Sequence, residues 1–185
     1  MKLNVPAVAL IAASLLLLGC KEKPTVYKST SDVATAMTVF SQRGQHEKAV
    51  RVGQDWIRTH PDDALIYRAI GMAFLVSAQH DKNRRQDLLN QASESFEGAM
   101  RLAPDDALMV NDAAWGFMTA GDLSPSDSRC RFYDKAKATF NRQEHLLVAD
   151  QYMIRGESFS MEPLRKAHEK LVIELARKMV EARCS

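Results

Sequence analysis

Between Gly44 and Ala114 the chain writes out a helix-pair pattern and then begins it again. The first block runs from Gly44-Gln45-His46-Glu47-Lys48-Ala49 to Trp56-Ile57-Arg58-Thr59-His60 and stops at Pro61-Asp62-Asp63. The second opens on Ala64-Leu65-Ile66-Tyr67, continues through Ile70-Gly71 and Phe74 to Ala92, Phe96 and Ala99, and stops at Pro104-Asp105-Asp106. Proline lacks an amide proton and pushes the preceding residue out of helical dihedrals, so each Pro ends a helix. The aspartates that follow suit the N-terminus of the next helix, as caps and by charge. Tyr67, Ile70, Gly71 and Phe74 fall on one helical face. Two helices that each bury a single stripe need neighbours to cover them, so the repeat demands a stack of pairs.

These residues resemble the tetratricopeptide repeat, a unit of about 34 residues. Tyr67, Ile70, Gly71, Phe74, Ala92, Phe96, Ala99 and Pro104 fill every signature position of a second unit. A first, from Thr30, shows Ala36, Phe40, Ala49 and Pro61, with Met37 in place of the glycine and Gly53 in place of the later aromatic. A third, from Ala107, shows Ala113, Ala114, Phe117, Ala136 and Phe140, but Val148 stands where proline belongs. The resemblance spans Thr30 to Gln143 and implies an all-α fold, a short α-solenoid of about three helix pairs. From Gly71 to Ala92 is 21 residues and from Ala114 to Ala136 is 22, each about ten more than the family unit. The charged stretch His80–Asp87 and the Pro/Ser-rich stretch Leu123–Phe132 read as loops on one edge of the stack.

The first helix is expected to start with Ser31 or Asp32 as its cap. Beyond Phe140 the pattern predicts helix to about Met153, a break at Gly156, and a last helix capped by Ser160 with Pro163 in its first turn. That helix carries Leu164, Ala167, Leu171, Leu175 and Met179 on one stripe, widened by Val172, Ala176 and Val180. An open stack needs its final apolar face covered, so 157–185 reads as a capping helix behind repeats in 31–156.

Residues 1–19 read as a leader: Lys2, then an apolar run from Val5 to Leu18, shorter than the ~20 residues a spanning helix needs. Leu17-Leu18-Gly19-Cys20 resembles the lipobox of bacterial lipoproteins. The resemblance implies cleavage before Cys20, acylation of that cysteine and anchorage in a bilayer. Lys21 in place of aspartate implies the outer membrane, with the protein on its periplasmic face and 20–30 as a tether. In an oxidising compartment the remaining cysteines, Cys130 and Cys184, are expected to pair.

Composition excludes little beyond bulk nucleic-acid binding. The net charge is only +2, with 46% hydrophobic and 26% charged residues, enough to form a core. Catalytic motifs are incomplete. His168-Glu169 and His46-Glu47 begin like a zinc-binding helix, but Val172 and Val50 occupy the second histidine's place. Gly156-Glu157-Ser158-Phe159-Ser160 departs from a nucleophile elbow at its last residue. No catalytic residue, cofactor or metal is expected. The repeat family instead implies a concave groove lined by the first helix of each pair. Here that groove takes Leu65, Arg68, Met72, Leu75 and Val76 from the second unit, and Leu108, Asn111, Trp115, Met118 and Thr119 from the third. The first unit offers only Ser31, Ala34, Thr38, Ser41 and Gln42. An apolar groove with one aromatic anchor suits an amphipathic helix or extended peptide of a protein partner. The implied function is an adaptor or assembly factor for an envelope machine; the alternative is a self-associating lipoprotein whose helix faces form a homodimer. Metabolic labelling of the full chain with a radioactive fatty acid is expected to mark the wild type and not Cys20→Ser; label on both variants overturns the anchor.

Overall fold

The computed structural model describes residues 26–154 and 157–184; the leader, Cys20, Lys21, most of the tether and Gly156 lie outside them. The architecture is all-α and solenoid-like. Three antiparallel pairs follow one another: α1 (Thr30–Gln42) with α2 (His46–Ile57), α3 (Ala64–His80) with α4 (Arg85–Leu102), and α5 (Ala107–Leu123) with α6 (Ser126–Glu144). A hairpin of β1 (Gln151–Ile154) and β2 (Glu157–Ser160) then precedes α7 (Glu162–Glu181). The first helix of each pair packs on both helices of the pair before it, and α7 does the same against α5 and α6. The last helix therefore takes the place of the next first helix and closes the stack.

The stop signals act as the sequence requires. Asp63 Oδ1 accepts from the Ile66 amide at 3.3 Å, and Asp106 Oδ1 accepts from the Leu108 and Met109 amides at 2.9 Å. Asp63 also joins the first two pairs, because its Oδ2 accepts from Trp56 Nε1 at 2.8 Å and from the Thr30 hydroxyl at 2.6 Å. The core is built around Phe96, 1% exposed, whose ring lies between Gly71 of α3 and Gly116 of α5. A β-carbon would come within 3.0 Å of that ring at Gly71 and 2.4 Å at Gly116. Phe117 meets Phe96 edge-on, with centroids 6.0 Å apart. A polar ladder keeps α4 and α6 in register on the outer side. Ser128 donates to Gln86 (2.9 Å), Arg131 to Asn90 (2.7 Å), and Lys135 to Ser93 (2.8 Å) and Glu97 (2.5 Å).

Several boundaries differ from expectation. The cap of α1 is Ser29, not Ser31 or Asp32; its hydroxyl accepts from the Asp32 amide at 3.2 Å. The added residues of the second and third units are not loops but longer helices. Helices α1 and α2 have 13 and 12 residues, α3 and α4 have 17 and 18, and α5 and α6 have 17 and 19. Pro125 sets the start of α6 with Asp127 in its first turn, so Pro and Ser mark a helix entry there.

Helix does not continue to Met153. The chain leaves the axis of α6 after Glu144 because Leu147 buries itself with Ala107, Met161 and Leu164, and Arg165 donates to the carbonyls of Leu147 and Ala149 at 3.0 Å. The segment 157–185 consequently opens with a strand. Met161 rather than Ser160 is the cap position of α7, although the Ser160 hydroxyl accepts from the Glu162 amide at 3.2 Å. On α7, Leu164, Leu175 and Met179 are buried as expected, but Ala176 and Val180 face outward and His168 faces in. Cys130 and Cys184 lie at disulfide distance, S–S 2.00 Å, tying the start of α6 to the chain beyond α7.

Gly116→Val adds a β-carbon and two γ-carbons where the Phe96 ring already stands. The substitution is expected to cost about 3 kcal/mol, read as a lower midpoint in thermal or urea denaturation. An unchanged midpoint contradicts the insertion of Phe96 between the two helices.

Candidate interaction surfaces

The first-helix layer divides the expected groove residues into three groups. Leu65 (44% exposed) and Trp115 (38%) face outward on α3 and α5, with Met72 half-buried between them. Leu75 and Met118 belong to the core at 2% and 3% exposure, a correction to the sequence reading. The helical period explains it: one residue further on, Val76 and Thr119 continue the outward line that Leu65, Met72 and Trp115 begin, so Leu75 and Met118 rotate inward. The third group is polar and already engaged. Arg68 Nε donates to Asp112 Oδ2 at 2.5 Å, bridging α3 and α5. Asn111 Oδ1 accepts from Gln143 Nε2 at 3.3 Å.

Gln143, fully buried, organises the end of this surface. Its Nε2 also donates to the Ala107 carbonyl at 3.2 Å, so its Oε1 is left as an acceptor for His168 Nδ1 at 2.9 Å. That arrangement fixes the tautomer: His168 carries its proton on Nδ1. The ring meets Phe140 edge-on at 5.6 Å. Burial holds the His168 pKa below its ordinary 6.5, against smaller opposing pulls from Glu144 and Glu169. Leu108 packs on the cluster of Ala107, Leu147, Met161 and Leu164. Residues beyond Phe140 thus cover the Leu108–Asn111 end of α5, while Trp115 stays open.

A second surface takes in part of the charged stretch His80–Asp87. A cleft of about 1140 Å³ opens between the first and second pairs, lined by Tyr27, Phe40, Trp56, Arg51, His46 and His80, among others. Its origin is a mismatch of lengths. Cap to cap, Ser29 to Asp63 is a step of 34 residues and Asp63 to Asp106 one of 43. The ends of α3 and α4 therefore overhang the shorter first pair, leaving a step beside α2. The imidazoles of His46 and His80 stack there, centroids 5.2 Å apart and 7° from parallel, with His46 Nδ1 buried and unpartnered. Burial lowers the His46 pKa, and His80 lowers it further. Trp56 stacks on His60 at 3.8 Å on the same wall. The signal that locates this cleft is the longer spacing from Gly71 to Ala92, read as added helix rather than loop.

Among the described residues, no group of three metal-ligating side chains converges, and no helix is long and apolar enough to cross a membrane. No protein-family model matches the chain, and no curated protein matches it significantly.

Half-buried His46 and buried His168 impose the same sign on stability. Their folded pKa values lie below 6.5, so the unfolded chain binds more protons once pH falls through about 6.5. Stability is full above that pH and declines toward the lower folded values. His168→Gln is expected to flatten this decline between about pH 7 and 5, measured as urea midpoints; an unchanged slope contradicts a neutral His168.

Proposed function

We propose that this chain is a lipid-anchored, non-catalytic adaptor of the bacterial periplasm, similar to tetratricopeptide-repeat lipoproteins of the outer membrane. On this reading it seats an amphipathic helix of a protein partner on the first-helix layer and serves assembly of an envelope machine. The observation that carries the reading is Trp115, an indole 38% exposed on a rigid helix whose neighbours are packed. Tryptophan loses little conformational entropy on binding and contributes a large apolar area, which is why it recurs as an anchor.

Leu65, Met72 and Val76 on α3 run alongside Trp115 and Thr119 on α5. Adjacent packed helices leave a groove between axes about 8–10 Å apart, a width that takes the apolar stripe of a third helix. The Arg68–Asp112 bridge spans those two helices and holds the groove to one width. With Arg68 and Asn111 engaged inside the protein, recognition rests on apolar shape rather than on paired charges. Cys20 at the head of a short tether supports placement at a bilayer surface.

Trp115→Ala and Leu65→Ser change exposed residues and leave the core intact. Crosslinked pull-down of the lipidated protein from envelope fractions is expected to recover a prey that both variants lose by about ten-fold or more, the effect of one anchor residue. Identical recovery by all three proteins discards this surface. A wild-type dimer by light scattering that turns monomeric in Trp115→Ala replaces the adaptor reading with self-association.

A further inference from the structure

We infer that the step between the first and second helix pairs is a second recognition site, for an acidic peptide segment that also carries an apolar side chain. The inference does not rest on the adaptor reading. The cleft is large, about 1140 Å³, and two chemistries meet in it. One wall is aromatic and aliphatic: Tyr27, Phe40, Val52 and Trp56, with the Trp56 ring held by its bond to Asp63 and its stack on His60. The other presents hydrogen-bond donors.

The balance of charge decides the ligand class. Three carboxylates line the cleft, and each is already used inside the protein. Glu47 pairs with Arg84 at 2.9 Å, Asp55 pairs with Arg58, and Asp81 accepts from the amides of Asn83 and Arg84 at 3.1 Å. Among the cations, Lys48 lies over the Phe40 ring, and Arg51, exposed on α2, has no hydrogen-bond or ion-pair partner among the described residues. The stacked His46 and His80 face the same space. What the cleft offers to an incoming molecule is therefore an unpaired guanidinium and imidazole donors beside an apolar shelf. A carboxylate next to a branched or aromatic side chain satisfies both at once. A cationic segment meets Arg51, with two of the three carboxylates already paired to arginines.

The chain has two tryptophans, Trp56 in the step and Trp115 on the first-helix layer, so emission can be assigned to one surface at a time. In the full chain carrying Trp115→Phe, the capped probe peptide Asp-Leu-Phe-Glu is expected to change Trp56 emission saturably. The probe Asn-Leu-Phe-Gln, and the acidic probe against an added Arg51→Glu, are each expected to bind about ten-fold more weakly or less, the scale of one charged hydrogen bond. Equal binding of the two probes, or an Arg51→Glu variant of unchanged affinity and unchanged circular dichroism, overturns the site. Failure here leaves the Trp115 surface standing, and loss of prey in Trp115→Ala leaves this one standing.

Discussion

A single ring between two glycines holds the middle of this stack together. Phe96 projects from α4 into the space that Gly71 and Gly116 leave on the two neighbouring first helices. Without side chains at those positions α3 and α5 approach closely enough to bridge Arg68 to Asp112, and their outer faces become one surface. The tolerance is small, because interiors pack densely and a ring confined from both sides cannot retreat into free space. The outer layer then follows: with α4 fixed by its ring, the ladder from Gln86 to Glu97 lines up with Ser128, Arg131 and Lys135 on α6.

The first pair is joined differently. Gly53 replaces the aromatic, so α2 sends no ring inward; instead Met37 of α1 and Ile70 of α3 crowd the glycine from outside. The junction is polar, centred on Asp63, where a cap for α3 also receives the Trp56 indole and the Thr30 hydroxyl. A lone carboxylate with several donors is strongly directional, and it anchors the Asp63 end of the pair only. From that end along α2 to His46, where short helices meet the longer ones, the cleft opens. The same change of unit length that strengthens the second and third pairs creates the concavity beside the first.

The periodic residues disclosed the stack and the caps at Asp63 and Asp106, because each is a local consequence of helix geometry. The stripe of α7 was equally legible, since Leu164, Leu175 and Met179 recur at helical spacing. What the chain did not disclose locally was tertiary. Nothing in His145-Leu146-Leu147-Val148 breaks a helix; Leu147 and Arg165 draw the chain away by contacts that exist only after folding. Ser124-Pro125-Ser126 carries a loop composition that serves equally as the entry to a helix, and only the length of α6 distinguishes them. Family positions presume a fixed rotation and so place Leu75 and Met118 outward, whereas Val76 and Thr119 hold the outward line here.

The closure of the stack limits where any partner approaches. Helix α7 is held at both ends: near its start by Leu164 and by the His168–Gln143 bond, near its end by the cysteine pair and by Asp122. Asp122 accepts from the Tyr133 hydroxyl at 2.8 Å and from Lys178 at 2.8 Å, and burial together with that carboxylate keeps the phenol protonated. A helix so fastened is a poor candidate for displacement by a competing helix, which has to replace two separated sets of contacts before gaining its own. The terminal apolar face, the usual point at which a repeat array extends, is thereby withdrawn from recognition. The side of the first-helix layer at Trp115 and the step beside α2 remain, and they differ in kind: one is apolar with its charges spent, the other keeps an unpaired guanidinium.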